Sequence, residues 1–171
     1  MTEDTFQMQT GIRKDRLILT TVLIIAALIA FVGCDKSSDP VEEYHFLGIT
    51  QTDQTGAILG SPDPDDWCQA SLGPGNIPRD YALWPAYANP ASSSITVKFG
   101  LPQEDSVEVY ILAWPSKRVK TLVNATRPAG TYALTWNLRN DSDSLLAPDI
   151  YRCVMKTATF TCHGDIQILA P

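Results

Sequence analysis

The chain has 171 residues, four cysteines, two histidines and a formal net charge of −6. Its 13 Lys and Arg form no cluster, which argues against the basic footprint of a nucleic-acid-binding protein. At 44% hydrophobic and 19% charged residues it can bury a globular core.

In chain order, Arg13, Lys14 and Arg16 come first, then an uncharged run from Leu17 to Phe31. That run is shorter than the ~20 residues a spanning helix needs. A positive flank, a short apolar stretch and a small residue before a cut site describe a secretory signal peptide. The small residue is Gly33, Cys34 follows it, and Asp35-Lys36-Ser37-Ser38-Asp39-Pro40 turns abruptly polar. Phe31-Val32-Gly33-Cys34 resembles the lipobox of bacterial lipoproteins. The resemblance implies cleavage between Gly33 and Cys34, with acyl chains carried on Cys34. Each buried methylene contributes ~0.8 kcal/mol, and two or more chains make a stable anchor. The expected location is therefore the bacterial cell envelope, with the protein lipid-anchored to a membrane. Residues 1–33 form the signal peptide, 34–42 a tether, 43–86 an irregular leading segment and 87–171 the main domain. The signal holds Glu3, Asp4 and Asp15 against its three bases, so the mature part keeps the net −6.

The leading segment offers one candidate strand, His45-Phe46-Leu47-Gly48-Ile49-Thr50. Gly60-Ser61-Pro62-Asp63-Pro64-Asp65-Asp66 is turn chemistry, because Pro fixes φ and Asp bonds its own backbone. Its three acids lack the spacing, turn glycine and distal Glu of an EF-hand calcium loop.

From residue 94 the pattern becomes regular. Ile95, Val97 and Phe99 alternate with polar residues, as do Val107, Val109 and Ile111. A shorter strand follows over 118–123. Tyr132-Leu134-Trp136, Tyr151-Cys153-Met155, Phe160-Cys162 and Ile166-Ile168 continue the period of two. Short alternating runs separated by Pro, Gly, Asn and Asp predict an antiparallel sandwich. The fold class is thus all-β, an antiparallel β-sandwich after an N-terminal signal helix, with Trp136 the largest core side chain.

Export makes disulfides available to Cys68, Cys153 and Cys162. A two-residue turn at Thr157-Ala158 would set Cys153 opposite Cys162 in a non-hydrogen-bonded pair, with α-carbons about 4.5 Å apart. That site accepts a bridge. Two reduced cysteines, or a pairing of either with Cys68, stay open. The same register sets Gly164 opposite Tyr151, whose ring would cover it. The cysteines and His45 and His163 lack zinc-site spacing, so neither metal nor cofactor is expected.

Tyr87-Ala88-Asn89-Pro90, Phe99-Gly100-Leu101-Pro102, Val109-Tyr110, Pro128-Ala129-Gly130, Trp136 and Ile150-Tyr151 occur in that order. Residues 87–169 thereby resemble the Ig-like domain of the flagellar hook-capping (FlgD-like) family, shared by C-terminal sorting domains of type IX secretion cargo. Asn137-Leu138 stands where that family has Asp-Gly, and Asp143 where it often has Gly. Ala113-Trp114-Pro115-Ser116-Lys117 replaces and lengthens its Asp-x-x-Gly turn. Trp114 either folds back as a cap, the favoured reading, or stands exposed as a partner surface, since aromatics anchor interfaces.

No Ser/His/Asp spacing or marked carboxylate pair points to catalysis. The expectation is a non-catalytic envelope module with a structural, scaffold or adaptor role toward a protein partner. A carbohydrate-binding module is the alternative, requiring Trp67, Trp84 or Trp114 exposed and coplanar. A secreted protein with a type IX-like sorting domain is a further one.

Overall fold

The computed structural model describes residues 46–170. The signal peptide, the cleavage pair Gly33 and Cys34, and the tether lie outside the described residues.

The described chain is all-β, with one short 3-10 turn at Pro74–Asn76. A two-stranded ribbon, β1 (Gln51–Thr52) and β2 (Ile58–Leu59), comes first. The predicted strand ending at Thr50 is absent from Phe46 to Thr50, and pairing begins one residue later. Seven strands follow: β3 (Ala82–Tyr87), β4 (Ile95–Leu101), β5 (Asp105–Ala113), β6 (Lys117–Arg127), β7 (Gly130–Trp136), β8 (Asp149–Lys156) and β9 (Thr161–Ile168). They form one sheet ordered β3-β4-β7 and another ordered β6-β5-β8-β9, all antiparallel. The sandwich thus starts at Ala82, five residues before the expected boundary. Pro85 and Ala86 hide the alternation of β3, which is buried on both flanks of Trp84.

The alternating residues meet between the sheets. Ile95, Val97 and Phe99 of β4 face Val107, Val109 and Ile111 of β5, together with Cys153, Met155, Cys162 and Ile166. Trp136 is the largest fully buried side chain, as its position predicts, and its indole N–H donates to the Arg139 carbonyl at 2.8 Å. Near the start of β8, the Tyr151 hydroxyl donates to the Ala147 carbonyl at 2.9 Å. A tyrosine there, two residues before a cysteine and bonded a few residues back, is the tyrosine corner of Ig-like sandwiches.

Strand β6 runs through Arg127, four residues beyond the expected end, because Asn124 to Arg127 pair with β5 while their side chains stay exposed. Two non-glycine residues in the β7–β8 connection take an unusual backbone. Leu138 and Asp143 both have left-handed φ, 58° and 60°. A bulky side chain seldom tolerates that region. Leu138 is fully buried, so its packing offsets the backbone cost.

Candidate functional site

The two flanks of the sandwich differ. The outer edge of β9 is closed along its length by the leading segment and the β3–β4 connection. The Trp67 N–H donates to the His163 carbonyl at 2.7 Å. The Asp165 N–H donates to Asp66 Oδ1 at 2.9 Å. Fully buried Asn89 donates through Nδ2 to the carbonyls of Asp165 and Thr50, both at 3.0 Å, and accepts from the Gln167 N–H at 3.0 Å. One amide thus satisfies two backbone groups of the β9 edge and ties them to the Thr50 carbonyl. Ala91 continues the closure, donating to Gln167 and accepting from Leu169.

A disulfide fastens this flank, and it corrects the expected pairing. Cys68 bridges Cys162 with α-carbons 6.1 Å apart, while Cys153 is a buried free thiol. The hairpin turn uses four residues, Thr157 to Phe160, closed by the Thr157 N–H on the Phe160 carbonyl at 2.8 Å. Cys162 therefore opposes Met155, and Cys153 opposes Gly164. Cys68 is brought close by its backbone pairing with Leu83 on β3. Burial, and then the charge of Asp165, push the Cys153 thiol far up, so it packs as a small apolar group. The shift also moves Tyr151 opposite Ile166. The ring over Gly164 is instead Trp67, which would lie 2.2–2.4 Å from a β-carbon there.

Beneath Trp67 lies a buried ionic group. Arg152 holds Asp165 with two charge-assisted bonds, Nε to Oδ1 at 2.8 Å and Nη2 to Oδ2 at 2.9 Å. Asp66 sits beside it, 8% exposed, with its Oδ2 lacking a hydrogen-bond partner among the described residues. Burial, then the Asp165 charge, push the Asp66 carboxyl up to about 7; Asp63 and Asp65 add smaller repulsions. An unfolded Asp releases its proton near ~3.9. Between about pH 4 and pH 7 the folded chain thus keeps a proton that the unfolded chain has lost, and stability falls as pH rises through that window. Asp66→Asn is expected to add on the order of 2 kcal/mol at pH 8 and almost nothing at pH 4. Urea midpoints at the two pH values check this; an unchanged pH slope would refute it.

The opposite flank is open. Asp141 covers the first half of the outer edge of β6, donating to the Val119 carbonyl at 3.0 Å and accepting from the Thr121 N–H at 3.2 Å. From Val123 to Arg127 that edge has no backbone partner among the described residues. At the tip of the β5–β6 hairpin Trp114 is 69% exposed, the most exposed large apolar side chain described. The favoured capping reading is therefore corrected. Trp114 sits on the turn beyond the last β5–β6 pair, Ala113 with Lys117, and its ring stands in solvent rather than over a neighbouring strand. Below the tip, Arg118 lies 3.7 Å from the Tyr110 ring centre and 2.9 Å from Glu108.

The remaining tryptophans form no exposed platform. Trp67 is buried, and half-buried Trp84 lies against Gly100 with the Lys98 ammonium 4.9 Å from its ring centre. A shallow depression of about 600 Å³ between Leu72 and Tyr132 has Lys98 as its one charged lining residue. Among the described residues no group of His, Cys, Asp and Glu is placed to hold a metal, and no helix is long and apolar enough to cross a membrane. Sequence reasoning missed Asn89 and Asp66 as part of the closure of β9, while the Cys68 pairing it left open is the one that ties the leading segment to the sandwich.

Comparison with known proteins gives no match to a family model, to a curated protein or to a solved structure.

Proposed function

We propose that the chain is a non-catalytic Ig-like module of the bacterial cell envelope, anchored by lipid on Cys34 and acting as a scaffold or adaptor for a protein partner. The unequal flanks carry this reading. One is closed by a disulfide, a buried amide and a buried ion pair, which fix a rigid body. The other leaves Val123–Arg127 of the edge strand β6 without a backbone partner among the described residues, and Trp114 exposed at the tip of the β5–β6 hairpin. An extended peptide adds to such an edge by main-chain hydrogen bonds. The carbohydrate-binding alternative loses its basis with Trp67 buried and Trp84 covered. The FlgD-like resemblance, carried by sequence motifs over residues 87–169, supports the same reading as an Ig-like module.

Intact mass and membrane fractionation test the anchor. The exported protein is expected to begin at an acylated Cys34 and to sediment with membranes, and Cys34→Ala to release it. A wild-type protein that keeps residues 1–33, or has an unmodified Cys34, refutes the anchor. For the partner, a photocrosslinker at Ala125 is expected to capture one envelope protein that a crosslinker at Gln167, on the closed flank, does not. Equal capture from both positions would remove the open edge as the binding surface.

A further inference from the structure

We propose that the end of the sandwich bearing Trp114 docks on the bilayer surface, by shallow apolar insertion. This rests on the lipid-anchor reading. Four segments share that end: the β3–β4 connection, the β5–β6 turn, the β7–β8 connection and the residues after β9. The last three carry an exposed large apolar side chain, namely Trp114 at 69%, Leu145 at 51% and Leu169 at 44%. The strand connections at the other end of the sandwich, residues 102–104, 128–129 and 157–160, carry none. The other exposed apolar residues belong to the leading segment.

The chain outside the described residues says which surface this end meets. Register places Leu112 opposite Arg152, and Arg152 opposite Asp165. Asn89 ties the Asp165 carbonyl to that of Thr50. Thr50 is therefore held level with Leu112, two residues before Trp114. From β6 to β9 is three strand spacings, about 14 Å. Twelve residues from Cys34 to Phe46 reach about 40 Å when extended. The same tether that holds the acyl chains in the bilayer can thus bring this end down to the headgroups.

Charge agrees. Lys120 lies 3.4 Å from Asp141 and Arg139 4.0 Å from Asp143, and Arg118 is engaged by Glu108. These pairings keep the basic residues of this end from standing as isolated charges, on a chain of net −6. Tryptophan's amphipathic ring suits the interface. Three such contacts are weak alone, but a short tether supplies an effective concentration on the order of mM.

The full-length lipidated protein, reconstituted into phosphatidylethanolamine–phosphatidylglycerol vesicles containing acyl-brominated lipid, tests this by tryptophan quenching. Wild type is expected to lose the Trp114 share of its emission and Trp114→Phe to lose none, since Trp67 and Trp136 are buried and half-buried Trp84 lies against Gly100, toward the other end of the sandwich. Leu145→Asp is expected to cut the wild-type quenching at least twofold with Trp114 in place. Equal quenching of wild type and Trp114→Phe overturns the proposal, as does no quenching, which would assign Trp114 to a protein partner. The mass of each preparation is read first: an unacylated Cys34 defeats the anchor reading, and this inference falls with it.

Discussion

Replacing Cys68 and Cys162 together by Ala is expected to lower stability by about 4 kcal/mol. The bridge closes a loop across 94 positions, from the leading segment to the last strand. In the chain-entropy account a loop near 100 residues costs the unfolded state about 4–5 kcal/mol of freedom when cross-linked. Loss of the bridge also frees the strap that covers β9, so its edge hydrogen bonds open to water. Urea unfolding of wild type and the double variant, with and without reductant, measures the effect. Reductant is expected to bring wild type to the level of the variant and to leave the variant unmoved. Cys153→Ala sharpens the test. It removes a buried thiol that the bridge does not use, so it should cost about 1–2 kcal/mol and leave the disulfide mass intact. A Cys153→Ala protein without its disulfide would refute the Cys68–Cys162 pairing.

Gly164→Ala is expected to cost about 3 kcal/mol, a large effect for one methyl group. The added β-carbon falls 2.2–2.4 Å from the Trp67 ring, far inside contact distance. Overpacking usually costs about 1–3 kcal/mol. Relief by moving Trp67 is restricted here, because its N–H is bonded to His163 and its neighbour Cys68 is bridged to Cys162. The upper bound is the packing of the tryptophan itself, about 3–5 kcal/mol. Trp67→Leu makes room, so the double variant should be more stable than the two single effects predict, by about 1–2 kcal/mol. Thermal or urea unfolding of the four proteins reads the coupling. Strict additivity would mean that Gly164 is not glycine on account of Trp67.

These two effects meet at β9, and there the sequence was least legible. Alternation at Ile95–Phe99 and Val107–Ile111 is a local signal. Side chains on a strand point to opposite faces whatever the strand pairs with, so the core face can be read directly. The last hairpin shows where that stops. A two-residue turn sets Cys153 against Cys162, and a four-residue turn sets it against Gly164. A slip of one residue would turn apolar side chains outward, but a slip of two keeps every face. Burial pattern therefore could not choose between the registers, and the disulfide depended on the choice.

The leading segment was opaque for a different reason. Asp66, Trp67 and Cys68 follow no period because they take their places from the edge of β9, about a hundred positions away, rather than from a ladder of their own. Trp114 was ambiguous because an exposed and a capping tryptophan read alike until the strand ends beside it are placed. The sequence by itself determined the all-β class, the inward face of the central strands and Trp136 at the centre, since these rest on local periodicity and size. Only the tertiary structure decided which cysteines pair, which ring covers Gly164, which flank is closed and which tryptophan faces outward, because each depends on register and long-range packing that local sequence does not encode.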